Sequence, residues 1–68
     1  MTMAWTNTFV VVSRSGGRFR CEWAGSLLRA AVAAKSRLER GCLGVVVIDT
    51  TERRVMHAKL SGRGVQLT

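Results

Sequence analysis

The chain has 68 residues, 47% of them hydrophobic, with eleven Lys and Arg against four Asp and Glu, for a net charge of +7. That length makes one small domain, which buries only roughly 60% of the surface its unfolded chain exposes and has little room for a catalytic cleft. No apolar run approaches the ~18 residues of a bilayer span, and the start MTMAWTNTF lacks the charged and apolar regions of a signal peptide, so a cytoplasmic protein without a membrane partner is expected.

Taken in order, residues 1–5 read as a lead-in, with Trp5 over a core edge. Residues 6–13, TNTFVVVS, are rich in β-branched side chains and predict a strand. Phe9 and Val11 fall on one face and Val10 and Val12 on the other, so both faces are apolar. SRSGG, residues 13–17, is a hairpin connection whose glycines accept positive φ. RFRCEW, residues 18–23, alternates strictly, the period of a half-buried antiparallel strand. Its apolar set, Phe19, Cys21 and Trp23, is expected to face inward, and Arg18, Arg20 and Glu22 to face solvent.

SLLRAAVAAKSRLER, residues 26–40, predicts the single helix. Leu27, Leu28, Ala31, Ala34 and Leu38 recur at three- and four-residue steps, with Val32 at the margin, and mark the expected buried side. Ser26 is the expected N-cap and Gly41 the residue that ends the helix. Arg29, Ala33, Ser36, Arg37 and Arg40 form the opposite side, and Arg37 and Arg40 complement the helix C-terminus. Arg29, Arg37 and Arg40 together read as a basic surface.

CLGVVVIDT, residues 42–50, predicts a second strand apolar on both faces, through Val45, Val46, Val47 and Ile48. DTTER, residues 49–53, is a polar turn. In RVMHAKL, residues 54–60, Met56, Ala58 and Leu60 alternate with Val55, His57 and Lys59. SGRGVQLT, residues 61–68, reads as a flexible tail on which Val65 and Leu67 are able to dock.

The expected architecture is therefore α+β, a single domain over residues 1–68 with its core in residues 6–60: a ββαββ chain with a four-stranded antiparallel sheet of order 2-1-3-4 and the helix on one face. Two strands are apolar on both faces, and they belong in the centre. One helix covers one face only, which leaves Val10, Val12, Val46 and Ile48 as an uncovered strip, with Arg18, Arg20, Glu22, His57 and Lys59 along its margins. An apolar strip with a charged rim is the anatomy of a protein interface, homotypic or heterotypic.

The chemistry-bearing residues are few. Glu22, Glu39, Asp49 and Glu52 are scattered, His57 is the one histidine, and Cys21 and Cys42 match no metal spacing, so neither catalytic residues, a metal site nor a cofactor is expected. Both cysteines read as free, buried thiols. Arg14, Arg18, Arg20, Arg53 and Arg54, on strands and in hairpin turns, suit phosphate contacts with duplex nucleic acid. With Phe19 and Trp23 assigned to the core, no outward aromatic remains for stacking single-stranded bases.

The ββαββ order, the SRSGG hairpin, the alanine-rich central helix and the small basic chain resemble several phage-encoded anti-CRISPR proteins that inhibit type I systems. The resemblance is one of layout and carries over no functional residue. It implies a non-enzymatic inhibitor in the host-cell cytoplasm that docks on a CRISPR surveillance complex and blocks target DNA. The contacts expected for such a role are Arg18, Arg20, His57, Lys59, Val10 and Val12, with Arg29, Arg37 and Arg40 as a second basic surface. A basic DNA- or RNA-binding accessory protein is the alternative, and a homodimeric module closed by its own copy a third reading.

Overall fold

The computed structural model describes residues 8–68. There the chain forms β1 (Phe9–Ser15), β2 (Arg18–Ala24), α1 (Leu27–Glu39), β3 (Gly44–Asp49), β4 (Arg54–Ser61) and β5 (Gly64–Leu67). The lead-in reading of residues 1–5 and the start of the first strand at residues 6 and 7 lie outside the described residues. The strands make one antiparallel sheet of order β2-β1-β3-β4-β5. The α+β class, the single helix and the 2-1-3-4 order agree with expectation. The fifth strand corrects the four-stranded reading.

Local chemistry explains the element ends. Gly16 and Gly17 stand at φ 57° and 78° in a two-residue turn, which pairs Ser15 with Arg18 and fixes the whole β1–β2 register. In the β3–β4 turn Asp49 Oδ1 accepts the backbone N–H of Thr51 and of Glu52, at 3.0 and 3.1 Å. The segment expected to be a tail turns at Gly62, φ 56°, and pairs with β4. Leu67 then packs against the core and Thr68 exchanges both backbone hydrogen bonds with His57.

The helix begins and ends where its caps require. Ser26 Oγ accepts the Arg29 N–H at 3.2 Å. At the other end Gly41, φ 92°, donates to the Leu38 carbonyl and Cys42 to the Arg37 carbonyl, the reciprocal pair of bonds that satisfies a helix C-terminus. Ser26→Ala removes the first of these caps and is expected to cost about 1 kcal/mol, read as a lower urea midpoint with an unchanged slope. An unchanged midpoint would show that the hydroxyl contributes nothing.

The buried stripe of α1 differs from the expected one. Ala30 and Ala34 are fully buried and Ala33 and Leu38 half-buried, whereas Leu28 and Val32 are 74% and 61% exposed and Leu27 is exposed too. The physical reason is Arg37, one turn beyond Ala34 on the buried line. Its guanidinium reaches over the sheet edge to Glu22, with Nε and Nη2 each 2.8 Å from Oε1, and its side chain is only 14% exposed. An arginine stem lies on apolar surface as readily as a leucine does. That contact and the small alanines turn the helix, so that two large apolar side chains face away from the sheet.

The core beneath is small. Phe9 and Val11 of β1, Ala24 of β2 and Val45 and Val47 of β3 meet Ala30 and Ala34. Met56, Ala58 and Leu67 extend it towards the β5 edge. At the other edge, Ala24 is the one β2 residue in the core.

Candidate interaction surface

The phase of β2 decides which side chains meet solvent on the uncovered face. Counting back from the Gly16–Gly17 turn places Glu22 opposite Val11 and Ala24 opposite Phe9. Since Val11 and Phe9 are under the helix, Glu22, Arg20 and Arg18 share the helix side. Trp23, Cys21 and Phe19 stand opposite Val10, Val12 and Arg14 and share the uncovered side. This reverses the expected orientation of the strand. Phe19 and Trp23 are each 71% exposed, and Cys21, expected to be buried, is exposed as well. Both cysteines are free, with Cys42 half-buried.

Every strand from β1 to β4 contributes side chains to the uncovered face. On β2 it carries Phe19, Cys21 and Trp23, and on β1 Val10, Val12 and Arg14. On β3 it carries Val46 and Ile48, and on β4 Val55, His57 and Lys59. Val10, Val12, Val46 and Ile48 are half-buried by their neighbours, and Val55 is exposed. The uncovered aliphatic strip stands as expected, but it is wider, because two aromatic rings extend it over the edge strand. His57 and Lys59 flank it as expected and are exposed. The basic residue on its other side is Arg14, in place of Arg18 and Arg20. Among the described residues no carboxylate lies on this face: Glu22 and Asp49 are on the helix side, Glu39 is on the helix and Glu52 in a turn.

Arg18 and Arg20 instead join residues expected on a separate surface. Together with Ser13, Ser15, Arg37 and Arg40 they line an open cleft of about 500 Å³ between the β1–β2 hairpin and the end of the helix. Arg37 is neutralised there by Glu22, and Lys35 pairs with Glu39 at 2.8 Å elsewhere on the helix. Arg18, Arg20 and Arg40 have no ion pair among the described residues. Arg29 does not belong to this group. It lies eleven residues up the helix from Arg40, about 16 Å along the axis, beside a groove shared with Trp23, Leu28 and Val32. The expected second surface of Arg29, Arg37 and Arg40 is thus divided among a groove, an ion pair and a cleft.

Phe19 joins the two regions. It is among the residues lining the arginine cleft, between Arg18 and Arg20, and it also lines a hollow on the uncovered face with Val12, Arg14, Gly44 and Val46. Residue counting from the glycine turn was the signal that places Phe19 and Trp23 outward; hydrophobicity alone points them the wrong way. Among the described residues no three His, Cys, Asp or Glu side chains stand close enough to hold a metal ion. No helix there is long and apolar enough to cross a membrane. No family model, curated protein or solved structure matches the chain.

Proposed function

We propose that this chain is a non-enzymatic nucleic-acid-binding protein that takes single strands on the uncovered face of its sheet. The observation that carries the reading is the outward placement of Phe19 and Trp23 on a face whose charged side chains, Arg14 and Lys59, are all basic. Exposed rings of this kind stack bases of any sequence, and basic groups beside them meet the phosphates. Duplex DNA keeps its bases stacked inside and has no use for the rings. A single strand does.

The test is a titration of a labelled 15-nucleotide single strand, and of the duplex of the same sequence, at rising salt. The single strand is expected to bind more tightly. Its affinity should fall with salt on a logarithmic slope of roughly −0.7 for each phosphate neutralised. Equal or stronger binding to the duplex, or no binding at low salt, overturns the reading.

A second reading is favoured by the aliphatic part of the face. Val10, Val12, Val46 and Ile48 offer flat apolar area without stacking capacity, which suits the core of a protein interface. In this reading the chain docks on a nucleic-acid-handling complex, most concretely as an anti-CRISPR-like inhibitor. Charge narrows it. A groove that holds DNA is itself basic and repels a chain of +7, so docking needs a partner surface with an acidic rim. Face-to-face pairing of two copies brings basic rims together and is disfavoured for the same reason.

A further inference from the structure

We propose that the arginine cleft at the end of α1 is a pocket for a terminal phosphate group of the bound strand, with the adjoining base stacked on Phe19. The inference rests on the nucleic-acid reading and deepens it. The cleft arises because the helix leaves the turn end of β2 without cover. Arg18 and Arg20 point to the helix side, yet they meet open space there in place of a core. Leu43 donates its N–H to the Arg14 carbonyl at 2.9 Å, which ties the segment after the helix to β1 and fixes the cleft wall carrying Arg40 and Cys42.

Three features point to a phosphate ligand. First, the positive charge is concentrated and uncompensated. Glu22 neutralises Arg37, while Arg18, Arg20 and Arg40 share one concave site with no carboxylate partner among the described residues. Like charges gathered in a cleft repel one another and focus field lines outward, an arrangement that favours the arrival of an anion. Secondly, guanidinium forks match phosphate oxygens in shape as well as charge. Thirdly, Ser13 and Ser15 line the cleft beside the arginines, and a serine hydroxyl is a donor suited to an oxyanion.

Concentration of charge also selects the kind of phosphate. A backbone diester carries one negative charge per nucleotide and calls for basic groups spaced along a track. A phosphomonoester carries about −1.5 to −2 at neutral pH with three acceptor oxygens in one place. Three unpaired guanidiniums around one cleft suit the second. Phe19 borders both the cleft and the hollow on the uncovered face, so its exposed side chain offers the attached nucleotide a stacking surface where the strand passes round the sheet edge.

The experiment compares three labelled ten-nucleotide thymidylate single strands, with a 5′-phosphate, a 3′-phosphate or hydroxyls at both ends, against the wild-type chain at fixed salt. One of the two phosphorylated strands is expected to bind about tenfold more tightly than the hydroxyl strand, and which one it is identifies the end that enters the cleft. In Arg18→Ala and Arg20→Ala that ratio should fall to about one, while the hydroxyl strand stays within a few-fold of its wild-type affinity. Glu22→Gln frees the Arg37 guanidinium and should raise the ratio, an effect opposite in sign to general loss of structure. Equal affinity of the wild-type chain for all three strands overturns the pocket and leaves the nucleic-acid reading standing. Absence of binding to any of them overturns both.

Discussion

Val47→Asp is expected to leave the chain without a cooperative unfolding transition, and Val47→Ala to lower its melting midpoint by about 10 °C. Val47 and Val11 face each other across the β1–β3 pair at the centre of the sheet, both with no exposed surface. They are the largest side chains buried so completely, beneath Ala30 and Ala34. Truncation to alanine removes two methylene equivalents and leaves a cavity under small helix residues, a loss of about 2 kcal/mol. A domain of this size holds only roughly 3 to 10 kcal/mol in total, and each kcal/mol moves the midpoint by about 4 to 8 °C. An unpaired carboxylate in the same place costs more than the domain has to lose. Val55→Asp, on the uncovered face, is the control and is expected to keep a cooperative transition. If circular dichroism finds Val47→Asp folded, the helix does not cover the face assigned to it.

The second large effect concerns binding. Phe19→Ala combined with Trp23→Ala is expected to weaken single-strand affinity by about 100-fold with the fold intact. Each base stacked on an aromatic ring contributes roughly 1 to 3 kcal/mol. Both rings lie on one strand four residues apart, about 13 Å, so they meet different nucleotides. Because each ring is 71% exposed, its loss removes little packing and the melting midpoint stays close to that of the parent. The salt slope should also stay, since no phosphate contact is removed; Lys59→Ala is expected to reduce that slope instead. An unchanged affinity in the double variant ends the stacking reading.

Element identity in this chain is legible because its signals are local. Ser26 and Gly41 bound the helix to within a residue, and the two strands that are apolar on both faces place themselves at the centre of the sheet. Three features were not legible by the same means. The RFRCEW alternation separates two sets of side chains but does not say which set lies under the helix. Apolar character assigned that side to Phe19, Cys21 and Trp23. The assignment fails because β2 is an edge strand whose turn end the helix leaves bare, so facing the helix and being buried are different conditions there. On the helix, Leu28 and Val32 had the stronger apolar signal, yet Arg37 anchored on Glu22 turns Ala30 and Ala34 to the sheet. Strand β5 is four residues between a glycine turn and the final threonine, too short for periodicity to register. Its clues were the two-residue spacing at Gly62–Arg63 and the alternation of Val65 with Leu67.

The candidate surface was partly legible for a related reason. Val10, Val12, His57 and Lys59 follow from a helix covering one face only, which is a statement about topology. The arginine cleft depends on where the helix ends relative to the hairpin, which no pattern within either element encodes.

The Gly16–Gly17 turn has a consequence for how this chain tolerates descent. Substitutions on the uncovered face alter one contact at a time. Insertion or deletion of a single residue in the turn, with the strand pairing retained, exchanges Phe19, Cys21 and Trp23 for Arg18, Arg20 and Glu22 across the whole edge. The cleft would lose its charge and the sheet its rings in one event, with composition nearly unchanged. Across any lineage of such chains, loop length between the first two strands is therefore the character that should vary least.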